Sequence, residues 1–490
     1  MGRPFTVFGK VIRATAAILL ILHSFASCGE KGGNENGGGD KPAPSTDVAT
    51  LNLERSIAIT DAAVKAYMDQ ASGMKMARYY NPFTQAKQTE TGSVWMYTSA
   101  IEAVNAALKA MVALKEDGKS ELHDKHFSRY CSLLEKLVDG LEYYQGTYTL
   151  TSFTQTRSWS VYGVNRASRG SARVEDKENV YDDQMWLVRE LIESYRITGV
   201  QQYLEIAEYL TEYVLDGWDC TVKNGVERGG IPWGPGYYSK HSCSNGPIVS
   251  PLVWLSEIYS GKGVKTTYRH IDLADGRTRV SEEMDKSEYY LMFARKVYHW
   301  QRQYLRNSKG LYEDNLNTPD IGGTIQYETV NGVRYRKPAN LRSVNGPAYT
   351  YNTGAMLSGA ADLYRVTGEE EYKSDMAAMT DASFKEFPTA SQSKQGYWQW
   401  PMDGFNTWFN GVLMRAYVDA AAYVTNAKEP VDSFQKNLDC GYANFLQEGL
   451  LPKSLLAGWS LDRSKCNSEG MFQFTYAAEY ATLSGYLSNN

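Results

Sequence analysis

The chain is poor in what metal, nucleotide and nucleic-acid chemistry requires. Its 490 residues include only six histidines and six cysteines, and none stands at metal-ligand spacing. The pair His123 and His126 in "HDKH" has no further ligand nearby and reads as a solvated helix face, so no metal is expected. Lysine and arginine total 51 against 56 acidic residues, a formal charge of −5. That balance gives no basic field to gather phosphates, which argues against nucleic acid as a partner. Neither a Gly-rich phosphate loop nor a Ser-His-Asp motif is present, and no cofactor is expected. No apolar run is long enough for a permanent membrane span, and no Pro/Ser-rich linker divides the chain beyond residue 52. One domain is expected over residues 52–490.

The N-terminus holds an address. Arg3, Lys10 and Arg13 precede the short apolar run "ATAAILLIL", which is followed by small residues and Cys28. This order reads as a secretory signal over residues 1–27. Its ending, "FASC", is similar to a lipobox, which implies cleavage before Cys28 and acylation of the thiol; plain secretion is the alternative. Residues 28–51, opening "CGEKGGNENGGGDKPAPST", are Gly-rich, polar and aperiodic, as a flexible tether is. The five cysteines beyond Cys28 are odd in number, so at least one thiol is unpaired.

Beyond residue 52, apolar residues recur at three- and four-residue spacing and mark about twelve helices. They are expected near 53–72, 93–115, 122–144, 179–198, 200–216, 246–260, 284–306, 348–367, 369–387, 407–426, 430–448 and 470–487. A repeat runs through them: "LIESYRITGVQQYLEIAEYL" at 191–210 parallels "AADLYRVTGEEEYKSDMAAM" at 360–379. In both, a helix closes on Gly199 or Gly368, the residue that best adopts a left-handed cap, and a new helix starts at once. Repeated helical hairpins bury their faces on one another, either in an open solenoid or in a closed ring. Long aromatic loops favour the ring, an all-α (α/α)6 barrel whose loops collect over one end. The strand-like stretch "YTLTSFTQTRSWSVYG" at 148–163 is expected on that rim. Tyrosine, at 36 against 15 phenylalanines, suits a wet polar cleft as well as a core edge.

One helix start carries more acid than it needs. In "ENVYDDQMWLV", at 178–188, Asp182 and Asp183 stand together where the apolar pattern begins. Taken alone, this is an ordinary first turn, each acid favoured by the macrodipole by roughly 0.3–1 kcal/mol. Two carboxylates at one helix start can also turn into a single cleft, one ionised and one holding its proton, as glycosidic cleavage requires. The loop "ERGGIPWGPGYYSKHSCSNGP" at 227–247 then offers Trp233, Lys240 and Asn245 to a ligand. Further candidates for a sugar-binding rim are Trp95, Tyr97, Tyr181, Tyr351 and Asn352 at helix starts, and Trp400 in "YWQWPMDG". Each has packing as its alternative role.

The segments "NVYDDQMW", "GGIPW…KHSCSN", "YTYNTGAMLSGAADLYRVTG" at 349–368 and "WFNGVLMRAYV" at 408–418 together resemble glycoside hydrolase family 76. His241 and Asn410 depart from the pattern, standing where an asparagine and a lysine are expected. The resemblance implies an (α/α)6 barrel and retaining endo-hydrolysis of α-1,6-linked mannan, with Asp182 as nucleophile and Asp183 as acid/base. It further implies a monomer that takes α-mannan polysaccharide or oligosaccharide. The protein would be held on the outer membrane of a Gram-negative bacterium through the Cys28 lipid alone, on the periplasmic or outer face. The competing expectations are a surface glycan-binding lipoprotein without catalysis, and a barrel glycosidase acting on another polysaccharide.

Overall fold

The computed structural model describes residues 47–317, 324–341 and 343–488. The signal sequence, Cys28 and the tether as far as residue 46 lie outside the described residues. Among these, twelve α-helices follow in order: α1 Val48–Tyr67, α2 Val94–Glu116, α3 Glu121–Gly140, α4 Tyr181–Thr198, α5 Gln201–Asp216 and α6 Val249–Tyr259. The second half adds α7 Lys286–Tyr304, α8 Thr350–Thr367, α9 Glu370–Glu386, α10 Asn406–Ala421, α11 Lys428–Phe445 and α12 Gly470–Ser488.

Their packing is a closed double ring. Helices α2, α4, α6, α8, α10 and α12 each pack on the next, and α12 returns to α2. Outside them, α3, α5, α7, α9 and α11 back onto the inner helix that precedes each, while α1 covers α12 and α2. This is an (α/α)6 barrel. The sequence sorts the two rings by how many faces are apolar. Inner α12 is buried at every position from Gly470 to Ala481, whereas outer α3 buries only the stripe Tyr130, Leu134, Leu137 and Val138, apart from its terminal glycine. The hairpin repeat takes the expected form: Gly199 (φ 70°) and Gly368 (φ 68°) close α4 and α8 in the left-handed region. Their N–H groups donate to the Tyr195 and Tyr364 carbonyls at 2.7 and 2.8 Å.

Boundaries differ at the first helix. The helix expected near 53–72 begins at Val48, because the Asp47 carboxylate caps it by accepting from the Ala49 N–H at 2.9 Å. It ends at Tyr67, where residues 68–69 pair with 75–76. The last residues assigned to the tether therefore belong to α1. The strand-like stretch is a hairpin, 145–151 against 156–162, with Tyr148 opposite Trp159. Two further hairpins, 265–271 with 279–285 and 327–330 with 333–336, were not expected. Nor was a small sheet in which 240–241 and 343–345 flank 315–317. The segments preceding α4, α6 and α8 gather at the end of the barrel where those inner helices begin.

Candidate active site

At that end, α4 opens without a side-chain cap, and Asp182 and Asp183 are its second and third residues. The start is tied instead to the 229–245 loop, where the Tyr181 N–H donates to the Trp233 carbonyl at 2.8 Å. Gly229 and Gly230 carry this loop past Trp300 at φ 68° and 77°. A Cβ on Gly230 would meet the indole at 2.3 Å, so only glycine fits there. Asn245 then staples the loop: its Oδ1 accepts from the Ile231 N–H at 2.8 Å, and its Nδ2 donates to the Ile231 and His241 carbonyls at 3.0 and 2.8 Å.

The result brings Trp233 and the Cys243 thiol beside Asp182, where both favour its charged form, with the Asp314 carboxyl close enough to repel it. One Asp182 oxygen, Oδ1, is buried without a hydrogen-bond partner among the described residues. Burial, chiefly, raises the Asp182 carboxyl to about 6. Asp183 is 7% exposed and is pushed well above the usual carboxylate range, first by burial and then by the charge of Asp182. Desolvation thus outweighs the pull of the helix N-terminus at both acids, but unequally. Asp182 ionises first, and Asp183 keeps its proton beside it.

Around the pair stands an aromatic rim drawn from four inner helices. Trp95 of α2 meets Trp408 of α10 edge-on at 5.2 Å, and Trp408 meets Trp186 of α4 at 4.8 Å. Tyr351 of α8 stacks on Phe409 at 4.2 Å and lies beside Cys243. Trp233 stacks on His241, ring centroids 4.8 Å apart. Burial lowers that imidazole to about 4, so it is neutral near pH 7 and presents a flat ring rather than a charge.

Several expected ligand-readers play other parts. Lys240 is 4% exposed; its Nζ donates to Asp219 at 2.7 Å and to the Gly229 carbonyl, clamping the loop from inside. Asn245, fully buried, is the staple just described. Tyr97 is fully buried and donates to the Leu137 carbonyl at 2.9 Å. Tyr181 packs on Tyr213, and the Asn352 amide donates to the Tyr312 carbonyl at 3.3 Å. Trp400 is no platform: it is 4% exposed, stacked on Phe434 at 4.4 Å and bonded through Nε1 to Ser433. Trp398, two residues earlier, faces outward. Of the expected set, Asp182, Asp183, Trp95, Trp233 and Tyr351 come together at the rim. Cys243, Asp314, Trp408 and Phe409 join them without having been singled out.

A cavity of about 690 Å³ lies at the other mouth, lined by the C-terminal halves of inner helices. Its charges are already matched, Arg189 with Glu190 and Arg415 with Glu102, so it braces the barrel floor. All five described cysteines are free thiols.

The model for glycosyl hydrolase family 76 matches residues 115–258 and 252–444, more than half of the chain. No curated protein matches by sequence. Among solved structures, a family 76 mannosidase from Bacteroides thetaiotaomicron superposes with a TM-score of 0.64 at 20% identity, over 90% of this chain and 100% of that one. The α-1,6-mannanase GH76A from Salegentibacter sp. HEL1_6 does so at 0.56 and 18% identity, over 88% and 98%. An inactive variant of that mannanase, with two adjacent aspartates replaced by asparagine, is solved in complex with α-1,6-mannotriose. With the barrel, the paired acids and the family model in agreement, the chain belongs to glycosyl hydrolase family 76.

Proposed function

We propose that this glycoside hydrolase cleaves α-1,6-mannosidic linkages within a mannan backbone and retains the anomeric configuration. The observation that carries the reading is the unequal pair at the head of α4. The carboxyl that ionises first, Asp182, is suited to attack the anomeric carbon, and the one that holds its proton, Asp183, to protonate the departing oxygen. Water then enters on the mannosyl-enzyme ester, giving its proton to Asp183 as the bond to Asp182 breaks. Support for the linkage comes from the Salegentibacter relative, whose inactive variants lack two adjacent aspartates and bind α-1,6-mannooligosaccharides. Trp95 and Trp233, both partly exposed, offer ring faces for stacking of pyranose units, with the buried Tyr351 packed behind them.

Two measurements test this. On unbranched α-1,6-mannan, proton NMR of the first products should show the α anomer ahead of mutarotation, together with a ladder of oligosaccharides. Asp183→Ala should lose about 10²–10⁴-fold on mannan, yet keep a fast first step on a dinitrophenyl α-1,6-mannobioside, whose leaving group needs no proton. An inverted first product, or equal losses on both substrates, would overturn the assignment.

A further inference from the structure

On the flank of the barrel, the hairpin 265–285 lies along outer helix α7 and, together with α5, encloses a cavity of about 270 Å³. None of the residues around the aspartate pair lines it. One wall is aromatic: Tyr289 meets Phe293 at 4.9 Å, and Phe293 meets Trp218 edge-on at 6.0 Å. The opposite side carries charge, most of it already matched. Lys286 pairs with Glu208 at 2.5 Å, and Glu212 with Arg157 at 2.7 Å.

Two polar atoms of the lining are left over. Trp218 is 5% exposed, and its indole Nε1 has no hydrogen-bond acceptor among the described residues. Asp216 accepts at Oδ1 from Ser152 Oγ at 3.0 Å and Gln155 Nε2 at 2.9 Å, while its buried Oδ2 has no donor among them. Buried polar atoms are almost always paired, so an orphan donor and an orphan acceptor in the walls of one cavity call for a group that can serve both. A hydroxyl donates and accepts at once. Aromatic faces beside a carboxylate and an indole N–H form a surface for a ring whose faces are C–H and whose edge is hydroxyl. Arg269 also lines the cavity, its charge partly offsetting the burial that raises the Asp216 carboxyl; with Arg269 and Lys286 against Glu208, Glu212 and Asp216, no excess of cation favours an anion.

We propose that this flank cavity is a second, non-catalytic sugar site that takes one neutral hexopyranose unit, its hydroxyls bridging Asp216 and Trp218 and its ring face against Tyr289. The site goes beyond the reaction proposed above and does not depend on it. Its function would be to hold a glycan against the barrel while Asp182 and Asp183 work elsewhere on it.

The full chain labelled with ¹⁵N-tryptophan tests this, the Trp218 indole signal being assigned by its loss in Trp218→Phe. Titration with methyl α-D-mannopyranoside should move that signal saturably at roughly millimolar sugar. The Asp216→Ala variant should abolish the movement, and Tyr289→Ala should weaken it about tenfold. Both variants should turn over a soluble mannooligosaccharide as the parent does, which separates this site from the catalytic one and reports that they fold. A signal that stays still up to roughly 100 mM sugar, that moves equally with sulfate, or that still moves in both variants would overturn the proposal.

Discussion

Replacing Asp182 by asparagine should stabilise the protein at neutral pH while removing its activity. The carboxyl rises from 3.8 to about 6 on folding, roughly two units, and each unit corresponds to about 1.4 kcal/mol. The direction follows from proton linkage. Because the folded state holds the Asp182 proton more tightly than the unfolded chain, the native state loses stability as pH rises from about 4 to about 6 and carries the whole penalty above that. Asparagine keeps the shape and cannot ionise. Allowing for the coupling to Asp183, the gain is about 2–3 kcal/mol at about pH 7.5 and near zero at about pH 4. Calorimetric Tm values of parent and variant at the two pH values measure it, and a few degrees are expected at the higher one. A gain that is absent at the higher pH, or equal at both, would refute the electrostatic account of the site. The same ionisation should set the acid limb of the parent's kcat/KM profile near pH 6, since the nucleophile must be charged to attack.

Asn245→Ala should remove the staple of the 229–245 loop and leave the Ile231 N–H without its acceptor, costing about 2–4 kcal/mol in urea unfolding. As Trp233 rides on that loop, KM should rise more than kcat falls, and an unchanged KM would show that the loop does not position substrate. Cys28→Ala should release the protein from the membrane fraction of a Gram-negative host, and persistence there would rule out acylation of that thiol as the anchor.

The helices were legible because each writes its burial into a short span: a 3.6-residue apolar period, a Gly cap, and an acidic first turn. The barrel followed from the repeat around Gly199 and Gly368. The aspartate pair was legible as a chemical oddity, and its roles from the family resemblance. Lys240 and Asn245 look like ligand contacts in the sequence, since polar side chains in a glycine-rich loop are usually wet. What consumes them is non-local: Asp219 lies 21 residues from Lys240. Asp314 reaches the site through the pairing of 240–241 with 315–316 and the bond its own carbonyl accepts from the Ser242 N–H, which no local pattern encodes. In "YWQWP" the two tryptophans are two residues apart, a spacing that would put both on one face of a continuing strand; the strand ends at Gln399, so Trp400 turns inward onto Phe434 while Trp398 faces out.

The closure of the inner ring, α12 against α2, with α1 laid over both, has a consequence for how the molecule is made. Ser56 donates to the Ala477 carbonyl, and Ser484 to that of Ala49, so helices more than 400 residues apart share a seam. An open array of such hairpins gains stability one unit at a time and needs special end caps. A ring needs no caps, but its last joint cannot form until α12 has been synthesised, and until then the inner faces of α1 and α2 have no partner on that side. Assembly is therefore expected to be all-or-none. The same seam suits the chain to being cut and rejoined: linking the described ends and opening the chain at the exposed α2–α3 turn, 117–120, would leave every neighbour of the barrel and the 229–245 loop in place.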